Sequence, residues 1–182
     1  MDVSRWEQRL ISKRKGKDHF FKAHPQSPLS ASDLQSFKGL AYFPLDPELR
    51  FELELHEHPE KETVQVGASH GQTRDLIRWG EFRFRVNDRE QVLQAYKNQP
   101  SEGGLFVPFR DPTGGRETYE KGRYLDLEPE LHLLDDGKWV LDFNEAYNPW
   151  CEYSQDYVCP FAPAENWLEV PILAGEKRFP RK

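Results

Sequence analysis

The chain has 182 residues, with 25 Lys and Arg against 31 Asp and Glu, so its formal net charge is −6 at pH 7. This acidic balance argues against nucleic-acid binding, because phosphate contacts require a basic surface. A chain of this length can bury roughly 70% of its unfolded surface, so its core requires neither a metal nor a disulfide. Aromatic residues make up 13% of the chain, which predicts a core rich in large rings.

No apolar stretch approaches the ~20 residues that span a bilayer, and residues 1–21 lack the apolar centre of a secretory signal. We therefore expect a soluble, cytoplasmic protein with neither a membrane nor a nucleic acid as partner. The composition names no cofactor and leaves the oligomeric state open.

The N-terminus has the pattern of an amphipathic helix. Ser4 and Glu7 have the spacing of a capping box, and the apolar residues that follow predict a helix from about Ser4 to Phe21. We interpret its many basic residues as a solvated face, with Trp6, Leu10 and Phe21 packed on the rest of the protein.

The domain organisation follows from a change in composition. Residues 1–24 are predicted to form an N-terminal helical arm. Residues 25–36, rich in Pro and Ser, read as a linker and a short turn opened by Ser32. Residues 37–182 are predicted to form a single β-rich domain.

From Leu49 the apolar period changes to two, as expected for half-buried strands. Strands are predicted at Leu49–Leu55, Val64–Ala68, Phe82–Val86, Val92–Tyr96, Leu105–Phe109, Glu117–Leu125, Trp139–Phe143 and Leu168–Ile172. Asp135-Asp136-Gly137 is typical of a hairpin turn, with Leu131–Leu134 as its first arm. The fold class is therefore mainly β: an antiparallel β-barrel or sandwich-like domain with an N-terminal α-helix and a long ordered C-terminal loop.

That loop lies within Trp139–Trp167, a segment dense in aromatic and acidic residues that contains no Lys or Arg. It either seals one end of the barrel or lines a ligand site. A second polar set spans Arg110 to Tyr124 and contains Asp111-Pro112-Thr113-Gly114-Gly115, which is first of all a turn. The set lacks the Lys and the Gly spacing of a phosphate-binding loop.

The histidines and cysteines give weaker indications. His56, His58 and Glu62 have a spacing seen in strand-borne metal sites, but the segment reads as an exposed turn and we expect no metal there. Cys151 and Cys159 are compatible with a disulfide, a shared metal or two buried thiols, so their role is open.

A set of motifs extends along most of the chain, and together they resemble an uncharacterised prokaryotic family, domain of unknown function 1684 (DUF1684). The motifs are Phe37–Pro44, Leu105–Thr113, Glu117–Tyr119, Gly122–Leu125, Asp142–Pro149, Cys151, Cys159-Pro160, Glu165-Asn166 and Ala174–Lys177. The resemblance implies no activity, substrate or cofactor. It does imply that the two polar sets described above belong to the same group of family motifs.

We predict that the C-terminal half binds an unidentified small molecule, with an anionic one as an option, in a polar pocket rimmed by aromatic rings. Arg110 and Arg123 would face the anion, and Tyr119, Tyr147 and Asn144 would orient the ligand. The candidate ligand-binding residues are Arg110, Asp111, Glu117, Tyr119, Arg123, Asp142, Asn144, Tyr147, Asn148 and Asn166.

Two alternatives stay open at this point. One is a hydrolase that uses paired carboxylates such as Asp111, Glu117 or Asp142 as acid and base. The other is a structural or interaction protein whose Trp150–Trp167 segment presents an aromatic patch. No catalytic residue is assigned.

Overall fold

The computed structural model describes residues 2–180. Its helices are α1 (Val3–Ala23), α2 (Ala31–Ser36) and α3 (Pro129–His132). Its strands are β1 (Arg50–Leu53), β2 (His56–Glu57), β3 (Thr63–Gly67), β4 (Thr73–Val86), β5 (Arg89–Lys97), β6 (Leu105–Phe109), β7 (Arg123–Leu127) and β8 (Trp139–Asp142). Short 3-10 helices occupy Pro47–Leu49, Ser69–Gly71, Phe143–Glu145, Trp150–Glu152 and Ala164–Asn166.

The strands form two antiparallel sheets. The larger sheet has the order β2-β4-β5-β6-β7, with β3 also paired to β4, and the smaller one joins β1 to β8. Within residues 2–180 the larger sheet does not close on itself, since its outer strands pair only with β4 and β6. The predicted mainly β antiparallel fold with an N-terminal helix is confirmed, whereas the closed barrel is not formed.

Helix α1 begins one residue earlier than predicted, and its cap is different. The Asp2 carboxylate, rather than the Ser4 hydroxyl, accepts a hydrogen bond from the backbone N–H of Arg5 at 3.2 Å. Trp6, Leu10 and Phe21 are buried as expected. They lie on one stripe of the helix, at spacings of about one turn and three turns, so α1 packs along the body of the protein.

Two predicted strands are absent for identifiable reasons. Leu131 and His132 belong to α3, because Pro129 occupies the first helical turn and favours helical backbone angles. The predicted hairpin pairing is limited to a bridge between Leu133 and Trp139 and a hydrogen bond from the N–H of Leu134 to the carbonyl oxygen of Lys138. Leu168–Ile172 forms no strand. Pro171 has no N–H to donate, and the N–H of Ile172 donates to the Asp111 carboxylate at 2.8 Å instead of to a neighbouring strand.

The predicted strand Glu117–Leu125 is shortened to β7. Gly122 has a φ of +105°, and a Cβ at this position would lie 2.5 Å from the carbonyl oxygen of Phe109. Only glycine fits this left-handed turn, so the strand starts at the next residue.

The main core lies where the two sheets and the C-terminal segment meet, and Phe143 is at its centre. The Phe143 side chain is fully buried. Its ring centroid lies 5.1 Å from that of Phe109 on β6, 5.5 Å from Phe84 on β4 and 6.1 Å from Phe51 on β1. One ring directly after β8 therefore holds both sheets together.

We expect Phe143→Ala to lower the free energy of unfolding by about 3–5 kcal/mol, because the cavity it leaves borders three strands. Urea denaturation followed by circular dichroism measures the change. Leu133→Ala, at a side chain 43% exposed, is the control and is expected to change stability by less than about 0.5 kcal/mol. Equal effects of the two substitutions would contradict the central role of Phe143.

Candidate functional site

The predicted site residues lie in several separate places. Arg123 is 1% exposed and forms an ion pair with Asp111 at 3.2 Å. Its guanidinium also donates to the carbonyl oxygens of Ile172, Ala174 and Glu176. Burial lowers the pKa of Arg123, and the Asp111 carboxylate opposes that effect. This pair therefore ties β7 to the C-terminal segment, and the guanidinium does not face open space.

Three of the predicted asparagines also satisfy backbone groups. Asn166 bonds the N–H and the carbonyl oxygen of Gln94 and the carbonyl oxygen of Pro108, so it joins β5 to β6. Asn144 bonds both backbone groups of Asp46, and Asn148 donates to the carbonyl oxygen of Lys177. Side-chain amides of this kind replace sheet hydrogen bonds in an irregular segment.

Asp142 is also part of the internal packing. It is 1% exposed and accepts hydrogen bonds from the Trp6 indole N–H of α1 at 2.6 Å and from Asn144. The carboxylate thus docks the N-terminal helix.

The remaining predicted residues lie apart from these. The Arg110 guanidinium lies over the ring of Trp167, 4.7 Å from its centroid. Glu117 is half-exposed and 3.8 Å from the ammonium of Lys177. The Tyr119 hydroxyl is 3.5 Å from the sulfur of Cys151.

A partly open cavity lies elsewhere, between α1 and the β-rich domain. It has a volume of about 270 Å³ and is named the α1 cavity below. It is lined by Leu10, Lys13, Arg14 and Lys17 of α1, by Asp126, Glu128, Leu131 and His132 around the end of β7 and α3, and by Tyr42, Asn144, Glu145, Ala146, Tyr147 and Glu176. Of the predicted site residues, it contains Asn144 and Tyr147.

The α1 side of the cavity is cationic, and two of its three cations have carboxylate partners. Lys13 contacts Glu145 at 2.5 Å, and Lys17 contacts Glu176. Arg14 differs from both. Among residues 2–180, no carboxylate lies within ion-pair distance of its guanidinium, which instead donates to the carbonyl oxygens of Phe43 and Asn144.

Arg14 is held firmly in this position. Its guanidinium carbon lies 4.3 Å from the centroid of the Tyr42 ring, and its Nε atom is buried without a hydrogen-bond partner. Burial lowers the pKa of Arg14, because the surroundings disfavour its charge. The cavity wall therefore carries a positive charge that no neighbouring side chain neutralises directly.

A second region of the cavity is acidic. The Tyr147 hydroxyl donates to the Asp126 carboxylate at 2.5 Å. Surrounding protein raises the pKa of Asp126 above its ordinary value of 3.8, although this hydrogen bond opposes the increase. No Lys or Arg of residues 2–180 forms an ion pair with Asp126 or with the nearby Glu128.

The pKa of Glu145 is shifted in the opposite direction to that of Asp126. Burial alone would raise the Glu145 pKa, but the nearby His132 imidazole, the charge of Lys13 and the hydrogen bonds from Arg9 and Lys13 outweigh burial, so the pKa lies below the ordinary value of 4.5. The His132 Nε2 atom is 3.7 Å from the Glu145 carboxylate. Two carboxyl groups of one cavity, at Asp126 and Glu145, thus have pKa values shifted in opposite directions.

The sequence analysis missed most of this cavity. Arg14 and Lys17 fall on the same helical stripe as Trp6, Leu10 and Phe21, which is the signal that could have identified them. A cation on the buried side of a helix needs a carboxylate of the protein or a bound anion beside it. They were interpreted as part of a solvated face.

The candidate metal residues have other contacts. His58 Nε2 lies 2.7 Å from the side-chain oxygen of Gln94, and Glu62 forms an ion pair with Arg78 at 3.0 Å. In the described part of the chain, no group of three or more His, Cys, Asp or Glu side chains is arranged to hold a metal ion.

The comparisons with known proteins identify the family. A sequence model described as "Protein of unknown function (DUF1684)" matches residues 35–177. The chain belongs to the DUF1684 family. The motifs from Phe37 to Lys177 that suggested this resemblance fall within the match.

A solved structure resembles this DUF1684 protein over nearly its whole length. It is the solution NMR structure of an uncharacterized protein of Haloarcula marismortui, with 39% sequence identity, a TM-score of 0.74, and coverage of 97% of this chain and 96% of that chain. Helix α1 contains 21 residues, so an alignment of this extent includes most of it. The helix that forms one side of the cavity is therefore part of the shared fold.

No curated protein matches the sequence of this DUF1684 protein. Helices long and apolar enough to cross a membrane are absent from residues 2–180.

We expect Glu145→Gln to lower the free energy of unfolding by about 1–3 kcal/mol at pH 7, since it leaves His132 and Lys13 without their carboxylate. Because the folded pKa lies below 4.5, the charge stabilises the fold above that pH. This contribution is lost as the pH falls towards the folded pKa.

Urea denaturation at a series of pH values measures this effect. The difference between wild type and Glu145→Gln should be full above about pH 5 and should shrink at more acidic pH. Glu117→Gln, at a half-exposed carboxylate, is the matched control and should have little effect at any pH. A difference for Glu145→Gln that does not change with pH would contradict the lowered pKa.

Proposed function

We propose that this DUF1684 protein binds a small polar molecule with an anionic group in the α1 cavity. The observation that carries the proposal is Arg14, a cation on the cavity wall with carbonyl oxygens but no carboxylate in contact. Burying a charge without a counter-charge is costly, and a bound anion would supply the missing one. The ligand would thus complete an incomplete electrostatic arrangement.

The size and polarity of the cavity limit the class of ligand. A volume of about 270 Å³ is near the lower end of ligand pockets and would hold about nine waters at ~30 Å³ each. Asp126 and Glu128 suit a hydrogen-bond donor or a cation on the same ligand. A small carboxylic acid with donor groups fits both regions, and an amino acid is one example.

The proposal keeps part of the predicted site and relocates the rest. Asn144 and Tyr147 remain ligand-facing residues, since both line the cavity. We assign to Arg14 the anion-binding role that the sequence predicts for Arg110 and Arg123. Arg123 has its partners inside the protein, and Arg110 lies over Trp167 at the surface.

A hydrolase is the second candidate function, and the carboxyl pair of the cavity favours it. Asp126, with its raised pKa, is suited to donate a proton, and Glu145, with its lowered pKa, remains ionised. Environments that separate two carboxyl pKa values in this way are typical of acid and base roles. Asp111, Glu117 and Asp142, the carboxylates first considered for this chemistry, lie outside the cavity lining.

We expect Arg14→Met to weaken binding by about 10- to 100-fold, the amount that a hydrogen bond to a charged group contributes. Native mass spectrometry of the purified protein, set beside the denatured mass, reports any retained molecule. Arg5→Met, at an exposed arginine of the same helix, is the matched control. A retained mass should persist in wild type and Arg5→Met and disappear in Arg14→Met.

Thermal denaturation with added probes tests the same cavity independently. Sodium phosphate, succinate and glutamate are suitable probes because they differ in charge and in donor groups. A probe that raises the melting temperature of wild type and Arg5→Met, but not of Arg14→Met, supports the proposal. Equal responses of all three proteins, or none to any probe together with no retained mass, would contradict it.

We expect Tyr147→Phe to raise the pKa of Asp126 further, because the lost hydroxyl stabilises the ionised carboxylate. A carboxyl ¹³C NMR titration measures the pKa. Tyr42→Phe is the control, since the Tyr42 hydroxyl bonds Glu176 and not Asp126. An Asp126 that titrates at or below 3.8 in the wild type would remove the case for its acid role.

A further inference from the structure

The two cysteines lie side by side, away from the α1 cavity. Cys151 belongs to the 3-10 helix Trp150–Glu152, and its backbone N–H donates to the sulfur of Cys159 at 3.3 Å. The Cys159 sulfur therefore lies against the backbone of Cys151. The Cys159 backbone N–H donates to the Ser69 hydroxyl at 3.0 Å, which fixes that end of the segment.

We propose that Cys159 and Cys151 form a thiol oxidation site, in which a small hydroperoxide oxidises Cys159 and Cys151 then closes a reversible intramolecular disulfide. Because the Cys159 sulfur already contacts the Cys151 backbone, closure needs only a local movement. The inference does not depend on the ligand of the α1 cavity.

The surroundings assign different roles to the two sulfurs. The neighbouring Cys151 side chain, the backbone N–H groups of Cys151 and Trp150 and the charge of Arg74 lower the pKa of Cys159 against the effect of burial. Its interaction with Cys159, together with burial, raises the pKa of Cys151. A thiolate is the form that attacks an oxidant, so Cys159 is the nucleophile and Cys151 the resolving thiol.

The titratable side chains that face the pair come from several elements. Besides Arg74 on β4, they are Tyr119, whose hydroxyl lies 3.5 Å from the Cys151 sulfur, and Tyr124 and Tyr147, whose hydroxyls donate to Pro160 and Asp126. The pKa values of all three tyrosines are raised, chiefly by burial. These tyrosines stay neutral and donate hydrogen bonds near pH 7. They therefore do not add negative charge that would oppose the Cys159 thiolate.

The chemistry balances with hydrogen peroxide as the oxidant. The Cys159 thiolate attacks one peroxide oxygen, the O–O bond breaks, and the leaving hydroxide takes a proton and departs as water, which leaves a sulfenic acid on Cys159. Cys151 then loses its proton and attacks that sulfur. The S–O bond breaks, hydroxide leaves with the proton as a second water, and the disulfide forms. The two thiols together supply the two electrons that reduce the peroxide.

The segment that the disulfide would close also contacts α1. Trp150 lies 4.8 Å from Tyr157 and 6.2 Å from Phe20, measured between ring centroids. The Tyr153 ring lies 4.8 Å from that of Phe21. Oxidation would therefore alter a segment that packs on the C-terminal end of the cavity helix.

Intact mass after peroxide treatment tests the proposal. The protein is treated with hydrogen peroxide, quenched, unfolded and alkylated with N-ethylmaleimide. Wild type should lose two hydrogen atoms and take up no maleimide, and dithiothreitol should restore two alkylated cysteines. Cys151→Ser should gain one oxygen atom, and Cys159→Ser should react at least about tenfold more slowly.

A pH series separates the proposed roles from simple exposure of the thiols. The oxidation rate of wild type should rise and level off at a lower pH than that of an ordinary thiol, because the pKa of Cys159 is lowered. In Cys151→Ala, which lacks the neighbouring thiol, the rise should move to higher pH. Circular dichroism confirms that each variant is folded, and Cys159→Ala serves as a second variant at the nucleophile.

Three results would overturn the proposal. One is equal oxidation rates for Cys151→Ser and Cys159→Ser, and another is a disulfide that links two chains. The third is a wild type that stays fully reduced at a peroxide concentration that oxidises the same chain unfolded in urea.

Discussion

The burial of the Arg123 guanidinium is the constraint on which the C-terminal half depends. A fully buried cation needs a counter-charge and hydrogen-bond acceptors, and Asp111 with the carbonyl oxygens of residues 172–176 supplies them. These bonds fix the last segment of the chain, although it belongs to no sheet. They also place Glu176, whose buried carboxylate binds Lys17 of α1 and the Tyr153 hydroxyl. The position of the cavity helix thus follows from an ion pair on β7.

The need to pair buried polar groups also explains why the residues of the predicted ligand site lie in separate places. Asp142, Asn144, Asn148 and Asn166 were grouped because so many buried polar groups must pair with one another or with a ligand. The structure shows that Asn144 and Asn148 pair with backbone groups outside the sheets. Asn166 pairs with backbone groups of β5 and β6, and Asp142 pairs with the Trp6 indole. Composition alone does not separate these two outcomes, because both require amides and carboxylates among aromatic rings.

The spacing of apolar residues over short stretches predicts helices and strands, because these elements depend on local sequence. The period-two runs around Phe82 and Phe84 and the apolar stripe of α1 identify a strand and a helix without knowledge of the rest of the fold. Sheet closure depends on pairing between distant strands, and the predicted barrel is not formed. The solvated face predicted for the cavity cations is wrong for the same reason. Lys13 and Lys17 form ion pairs with Glu145 and Glu176, which are distant in sequence.

The segment after β8 links the two proposed sites. Tyr147 lines the α1 cavity, while Trp150 and Tyr153 pack on α1 next to the cysteine pair. Energetic coupling between the sites would pass through this segment and through α1, on which it packs. Coupling free energies are reciprocal. If the disulfide changes ligand affinity, bound ligand must change the tendency of the two cysteines to oxidise by the same factor. Helix α1 is held by the buried Glu176 carboxylate and by aromatic rings near its C-terminal end. A change in the packing of α1 would transmit this effect.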